Sequence, residues 1–296
     1  MENKKRMDEG IKVTVIGLLI NVILTSLKII FGIVGRSRAL VADGFHSLSD
    51  FITDIVVIFG LKFSSKPVDE SHDYGHGKIE TFATFIVGIF LILVGIYIFY
   101  SSATTIFLIY KGKEVKQPEF VTFIFAFLSI IVKEGLYRYT VFVADKIKSQ
   151  SIKANAWHHR SDAFSSIATS IGIGLAVFNK NLIIFDPISA MIVTIFIVRV
   201  GVDIVRDSFD ELTEKSLSSK EEEEILKVIE GVDGVINPHS IQTRKVGNYI
   251  AIDLHIEVDK SISVEEAHRI TEKVEEEMTK KYGENYYINI HIEPNS

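Results

Sequence analysis

The chain has 296 residues, of which 47% are hydrophobic, and its formal net charge is −6. It contains no cysteine, which excludes disulfides, thiolate zinc sites and iron–sulfur clusters and argues against a Cu(I) carrier, since Cu(I) prefers sulfur ligands. The acidic balance gives no support for nucleic-acid binding. From Thr81 to Tyr110 no residue is charged, and about 20 apolar residues are enough to cross a bilayer. A single-domain soluble protein is therefore excluded.

Six apolar segments occupy the first two thirds of the chain, and each is long enough to span a membrane as a helix. They are Ile11–Val34, Leu40–Phe63, Ile79–Phe107, Phe120–Val143, Ala154–Phe178 and Leu182–Val205. Lysine and arginine are more frequent before the first segment, between the second and third, between the fourth and fifth, and after the sixth. Because these residues favour the cytoplasmic side, we expect a multi-pass protein of the cell inner (plasma) membrane with both termini in the cytoplasm.

The texture of the sequence changes after Arg206, where charged residues become frequent. Helical spacing of apolar residues predicts two helices, and β-branched or alternating runs predict three strands. In chain order these elements are Lys220–Gly231 (helix), Ile236–Lys245 and Tyr249–Val258 (strands), Val264–Lys281 (helix) and Tyr286–Ile292 (strand). We therefore expect a transmembrane domain over residues 1–206 and a cytoplasmic αββαβ domain over residues 207–296, with one sheet and both helices on one face.

Two of the apolar segments carry a histidine and an aspartate one helical turn apart. His46 and Asp50 lie in the second segment, and His158 and Asp162 lie in the fifth. Residues spaced i, i+4 project from the same side of a helix, so each helix offers one imidazole and one carboxylate. Two such helices facing each other would form a four-coordinate site that suits zinc. Carboxylates in a membrane are costly without a cation, which favours a metal over the alternative of interhelical hydrogen bonds or helix caps.

Other charged residues in the apolar segments allow more than one interpretation. Asp43 and Asp54 extend the polar stripe of the second segment, and Asp43 is a candidate reserve ligand. Lys133 and Glu134 interrupt the fourth segment. They could neutralise each other or pair with Asp54, and the sequence does not choose between these.

The string from His46 to Asp50, the partner pair His158 and Asp162, and the string Tyr74-Gly-His-Gly-Lys78 together resemble the cation diffusion facilitator family of divalent-metal/proton antiporters. Six spans followed by an αββαβ domain match that family along nearly the whole chain. The resemblance implies a homodimer that exports a cytosolic divalent metal, which is both substrate and regulator. It assigns the transport site to His46, Asp50, His158 and Asp162. Zinc is the expected ion, with cadmium, iron and manganese as alternatives.

The resemblance also implies three further features outside the transport site. The loop after the second segment has ligand types that fit a divalent ion, and the family places a second metal site on Asp69, His72 and His76. Instead of transporting the metal, this site could sense it or deliver it to the entrance of the transport path. A charge interlock would join Lys78 to Asp210. The alternative to this pairing is that Lys78 is solvated near anionic lipid headgroups. Within the C-terminal domain, metal would bind at the dimer interface through His239, His255, His268, His291 and Glu293. His159 remains without a metal and is interpreted as structural.

A transport mechanism follows from the ligand types. Metal ligands must be deprotonated, and imidazole titrates near pH 6.5, so protons would compete with metal at His46 and His158 while the helices alternate between inward- and outward-open states. A membrane metalloenzyme is disfavoured because the chain has no His-Glu-x-x-His string, and no organic cofactor is expected. The remaining rivals are a membrane-tethered metal sensor and a partner paralogue that does not transport.

Overall fold

The computed structural model describes residues 2–49, 51, 69, 71–72, 75–147, 149–247, 249–283 and 286–295. The chain forms two compact units, Met1–Ile55 with Val87–Asp203 and Val56–Ile86 with Ile204–Ser296. The first unit is helical and the second contains the sheet. The first turns of helix α3 and the last turns of helix α6, defined below, belong to the second unit.

Long helices form where the sequence has its uncharged apolar runs. They are α1 (Glu2–Val34), α2 (described over residues 38–49 and at 51), α3 (Gly77–Tyr110), α4 (Phe120–Lys146), α5 (Gln150–Phe178) and α6 (Phe185–Leu212), with a short 3₁₀ turn at Lys180–Leu182. Among the described residues, five helices are long and apolar enough to cross a membrane. The predicted second span, Leu40–Phe63, falls largely outside the described residues, so the structure supports five of the six predicted spans.

Small residues let the first two helices approach closely in the helical unit. A Cβ added at Gly32 of α1 would lie 2.8 Å from Val41 of α2, and Ala39 and Ala42 of α2 are fully buried. Phe31 stacks on Phe125 of α4 with ring centroids 3.7 Å apart. Helices in lipid associate through such close packing, since lipid supplies no hydrophobic drive between them. The helices are therefore closely packed at these positions.

The C-terminal part has the predicted αββαβ order. Its elements are α7 (Ser219–Glu230), β1 (Ile236–Val246), β2 (Tyr249–Val258), α8 (Val264–Tyr282) and β3 (Tyr286–Pro294), each within two residues of the predicted bounds. The sheet order is β1-β2-β3, with β1 antiparallel and β3 parallel to β2. Ser218 and Glu221 form a capping box that fixes the start of α7.

The sheet has one covered face and one open face. Ile252, Leu254 and Ile256 of β2 are buried in a core with Ile225 of α7 and Val274 of α8. Side chains alternate between the two faces of a strand, so the odd-numbered residues of β2 and β3 lie on the face away from the helices. That open face carries three of the histidines described next.

Candidate metal centres

A buried lysine–aspartate pair ties three helices of the first unit together. The Lys28 Nζ of α1 lies 2.7 Å from the Asp43 Oδ2 of α2, and it also donates to the Oγ atoms of Ser47 at 3.3 Å and Ser166 of α5 at 3.1 Å. The Ser166 hydroxyl in turn donates to Asp43. Asp43 is thus fully buried and neutralised by a lysine, which argues against its role as a reserve metal ligand.

Two of the four predicted transport ligands have described side chains. His46 lies in α2 one turn beyond Asp43, and its Nδ1 atom is buried without a hydrogen-bond partner in the part of the chain that the structure describes. Asp162 lies in α5 one turn before Ser166 and is buried. Asp50 lies outside the described residues, and His158 is described only as part of the α5 backbone, as is His159.

The structure gives Lys133 and Glu134 different partners from those considered in the sequence. The Lys133 Nζ lies 3.4 Å from the Asp162 Oδ2, and both side chains are buried. Glu134 instead contacts Arg138, at 2.8 Å, and Arg160, at 3.7 Å. Neighbouring residues on a helix point in directions about 100° apart, so Lys133 turns inward and Glu134 turns away. The pairing of Lys133 with Glu134 is therefore wrong, and Asp54 lies outside the described residues.

The predicted loop cluster comes together in the second unit. The Asp69 carboxylate lies 3.4 Å from the His72 Nδ1 and 3.3 Å from the His76 Nε2, and the three side chains offer ligand atoms within 4.8 Å of one another. Hydrogen bonds from the Ser71 hydroxyl and backbone lower the pKa of Asp69 to about 2. The His76 Nδ1 is buried and has no hydrogen-bond partner among the described residues. The cluster can accept a divalent cation through one carboxylate and two imidazoles.

The sheet brings three histidines to one level on its open face. His239 of β1 is paired with His255 of β2, which is paired with His291 of β3. Glu293 accepts from the His255 Nδ1 at 3.1 Å and lies 3.3 Å from the His239 Nε2, whereas the His291 Nε2 is 3.8 Å away. Ligand atoms of His239, His255 and Glu293 all lie within 4.8 Å of one another.

Local irregularity in β1 aims His239 at this group. Register shifts occur on both sides of His239, and Asn237 and Ser240 have positive φ angles of 41° and 50°. Such bulges redirect a side chain relative to a regular strand. The Asn237 carbonyl also lies 2.9 Å from the His239 Nδ1, which leaves the Nε2 atom facing Glu293.

His268 does not join the histidines of the sheet within this chain. It lies on α8, its side chain is 70% exposed, and its Nε2 is 3.6 Å from Glu272 of the same helix. Ala267, Ile270 and Val274 are the residues that α8 buries against the sheet, so His268 projects to the outside. The sheet itself separates α8 from the open face. Within a single chain His268 therefore lies outside the cluster of the sheet histidines, whereas the predicted site is at a dimer interface, which involves a second chain.

The predicted charge interlock has a different carboxylate. The Lys78 Nζ donates to the Glu214 Oε1 at 2.6 Å, while Asp210 is paired with Lys215. Lys78 holds the pKa of Glu214 below its usual value. This hydrogen bond is the larger cause, and the positive charge of Lys78 is the second. Asp210 lies on α6, whereas Glu214 follows the helix end with a positive φ of 62°, and this turn presents its side chain to Lys78. The predicted pairing of Lys78 with Asp210 is therefore not the one found.

A second contact supports the same corner of the unit. The Glu211 Oε1 accepts from the Thr81 hydroxyl at 2.6 Å and from the Gly247 backbone at 2.8 Å. A Cβ added at Gly77 would lie 3.1 Å from the Val246 carbonyl oxygen, so the glycine permits the start of α3 to touch the β1–β2 turn. In the string Tyr74-Gly-His-Gly-Lys78, Gly77 therefore has a packing role, in addition to the ion pair that Lys78 forms.

Family models match both parts of the chain. Residues 14–213 match the cation efflux transmembrane domain, and residues 217–295 match the cytoplasmic domain of cation efflux proteins. This chain belongs to the cation diffusion facilitator family. The two matches meet a few residues beyond the predicted boundary at residue 206, in agreement with an α6 that continues to Leu212. Members of this family are cation efflux transporters, so the chain is a membrane transporter and not an enzyme.

Relatives of this cation diffusion facilitator match it along almost their full length. It is 34% identical to the manganese efflux system protein MneP of Bacillus subtilis over 96% of this chain and 95% of that protein. It is 40% identical to an uncharacterized transporter of Methanocaldococcus jannaschii over 89% of this chain and 91% of that protein. Among solved structures, the metal-bound C-terminal domain of the CzcD transporter from Thermotoga maritima is 35% identical, covers 26% of this chain and 94% of that one, and has a TM-score of 0.24.

Sequence reasoning missed one residue at the centre of this cation diffusion facilitator. Lys28 is buried with a side chain that is 1% exposed, although it stands in a long apolar segment where a charge is expensive. That cost was the available signal, because an intramembrane lysine needs a partner. The partner itself, Asp43, lies on another helix, and local spacing cannot identify it.

Proposed function

We propose that this chain exports a divalent transition-metal cation from the cytoplasm in exchange for protons, by alternating access about a site formed by His46, Asp50, His158 and Asp162. The observation that carries the proposal is the buried Asp162 carboxylate inside a bundle of apolar helices. Family membership supplies the reaction class, cation efflux across a membrane. Because carboxylates inside spanning helices are costly, they are rare and commonly mark ion pathways.

The contacts around Ser166 support the convergence of the two ligand helices. Ser166 bonds Asp43 directly, so α2 and α5 are neighbours at that level. In the predicted topology the two helices run in opposite directions across the membrane. A residue one turn after Asp43 is then level with a residue one turn before Ser166, about 5.4 Å along the axis in each case. His46 and Asp162 occupy those positions, and Asp50 and His158 would follow one turn further on.

The ligand types favour zinc and leave manganese as the second candidate. Two imidazoles and two carboxylates are ligands that zinc takes in tetrahedral sites, and imidazole suits zinc better than manganese. Manganese is supported by the name of the Bacillus subtilis relative. Because affinities for the same site rise from manganese toward copper, selectivity would depend on site geometry as well as on ligand type.

Protons are the proposed counter-ion because of the histidines. Metal binding needs neutral imidazoles, so protons would compete with the metal at His46 and His158, and their protonation would release it. We further propose a homodimer in the plasma membrane with both termini in the cytoplasm.

The cytoplasmic sheet cluster of His239, His255, His291 and Glu293 would regulate transport by binding metal more tightly in one of the two states. The loop cluster of Asp69, His72 and His76 would be a second metal site.

Flux measurements in proteoliposomes test this function. The wild type, Asp162→Asn and the control Asp145→Asn would each be reconstituted into vesicles loaded with a metal-sensitive dye and a pH dye. Asp145 is a suitable control because its carboxylate forms an exposed ion pair with Lys153. We expect metal and proton movements in opposite directions for the wild type and the control, and neither movement for Asp162→Asn. Normal flux in Asp162→Asn would refute the site, and metal flux without proton movement would refute the exchange. A tethered sensor would show metal binding without flux.

A further inference from the structure

Lys133 contacts the metal site but cannot be a metal ligand. Its ammonium has three donors and no free lone pair, yet it lies 3.4 Å from the Asp162 carboxylate, which is the ligand that the proposed function places on α5. The lysine side chain is 3% exposed. A cation therefore already stands at the carboxylate where the transported cation would bind.

The two buried lysines of the helical unit differ in how firmly they are held. Lys28 has three oxygen partners at 2.7 to 3.3 Å, on α2 and α5. Lys133 has the Asp162 contact, which at 3.4 Å is longer than an ordinary N–H···O bond of about 2.7–3.2 Å. Lys28 is thus fixed in a network, whereas Lys133 has one ion pair within 4 Å among the described residues, on a long side chain that can change rotamer.

We propose that Lys133 is a tethered counter-cation of the transport site, whose ammonium holds Asp162 when metal is absent and gives that carboxylate up when metal binds. The proposal rests on the proposed function, because it requires Asp162 to be a metal ligand. An isolated carboxylate in a dry interior is expensive, and taking away the partner of a buried ion pair is destabilising because the remaining charge is left uncompensated. A divalent ion bound to Asp162 would repel the ammonium that lies 3.4 Å from the same carboxylate, since like charges interact strongly at low dielectric.

Two consequences follow for transport. The metal has to displace a competing cation, so its apparent affinity is lower than that of the same ligands without Lys133. After release, the ammonium returns to Asp162, so the empty carrier can reorient without a bare charge at that position. Lys133 would therefore act as a positioning residue that speeds metal release and carrier return.

The test compares Lys133→Met with Lys133→Arg, which keeps the charge, and with Arg138→Met on the same helix, whose side chain is 77% exposed. Zn²⁺ flux in proteoliposomes gives KM and kcat separately. We expect Lys133→Met to lower KM by about tenfold or more, equivalent to at least ~1.4 kcal/mol, and to lower kcat. We expect Lys133→Arg to stay nearer the wild type, and Arg138→Met to match it.

A readout that does not need transport covers the case of a poorly active variant. Without metal, Lys133→Met should melt at a lower temperature than the wild type, since Asp162 is left unpaired, and Zn²⁺ should raise its melting temperature by more than it raises that of the wild type. An unchanged or higher KM together with an unchanged metal-induced stabilisation would overturn the proposal. If Asp162→Asn abolishes flux in the same vesicles, the transport function stands even when Lys133 fails this test.

Discussion

The Lys28–Asp43 pair offers the sharpest test of how the helical unit is held together. The change is Lys28→Met, which keeps the length of the side chain and removes its charge. Among the described residues, it leaves the buried Asp43 carboxylate with Ser166 as its hydrogen-bond donor. At 2.7 Å the two charges attract each other by about 6 kcal/mol if the effective dielectric constant is about 20.

The net effect of the change is smaller than this attraction, because each buried charge also costs desolvation energy. Removing one partner of a buried pair costs about 3–5 kcal/mol of stability. Lys28→Met should therefore lower the free energy of unfolding by that amount. The double variant Lys28→Met/Asp43→Asn removes both charges and keeps an acceptor for Ser166, so it should recover most of the loss.

Unfolding would be followed in detergent or nanodiscs by thermal and denaturant titration, with metal absent. The expected order of stability is wild type, then the double variant, then Lys28→Met. Equal stability of the single variant and the wild type would refute the view that the pair is buried and unscreened. The double variant should also retain metal flux, and loss of flux in a folded double variant would show that Asp43 is a ligand after all.

Two further predictions concern the second unit. In the full chain, His255→Ala should remove one bound Zn²⁺ per protomer in calorimetric titrations, because His255 contacts the central carboxylate Glu293. The control His268→Ala, on the far side of the sheet, should bind Zn²⁺ as the wild type does. The reverse result would contradict the assignment. Glu214→Gln should lower stability at pH 7 by about 0.2–1 kcal/mol, the range for an exposed ion pair. Lys78 lowers the pKa of Glu214 in the folded state. The stability difference between the wild type and Glu214→Gln should therefore be present above the unfolded pKa, about 4.3, and disappear as the pH falls through the folded pKa. A stability difference that grows in acid would exclude this pairing.

The C-terminal fold could be predicted from the sequence because its signals are local. Alternation in β2 and β3 fixed which residues face the helices, and the bounds differ from the prediction by no more than two residues. His268 was predicted to share a metal site with the histidines of the sheet at the dimer interface, and within one chain it lies outside their cluster although the same kind of signal was present. Ala267, Ile270 and Val274 define the buried stripe of α8, and a helix of 3.6 residues per turn places residue 268 outside that stripe.

Partners on separate helices could not be predicted, because local periodicity says which way a side chain points but not what it meets. Lys133 was correctly recognised as expensive, yet its contact with Asp162 crosses from α4 to α5. Glu214 was missed for a similar reason. It follows the end of α6 in a backbone conformation with positive φ, and no spacing rule relates that position to Lys78.

The buried charges of the helical unit separate two kinds of carboxylate. Three aspartates are buried in the described part of this unit. Asp186 accepts hydrogen bonds from Ser37 and the Arg38 backbone, whereas Asp43 lies against Lys28 and Asp162 against Lys133. The first pair has supporting hydroxyls and resembles a structural tie, because a metal entering there would have to break three contacts of one ammonium. Among the described residues the second pair has one longer ion-pair contact, so a divalent ion would displace the lysine from Asp162 more readily than from Asp43. A transported cation needs a carboxylate that can exchange its partner, and the longer contact of Asp162 supports the proposal that Asp162 is that carboxylate.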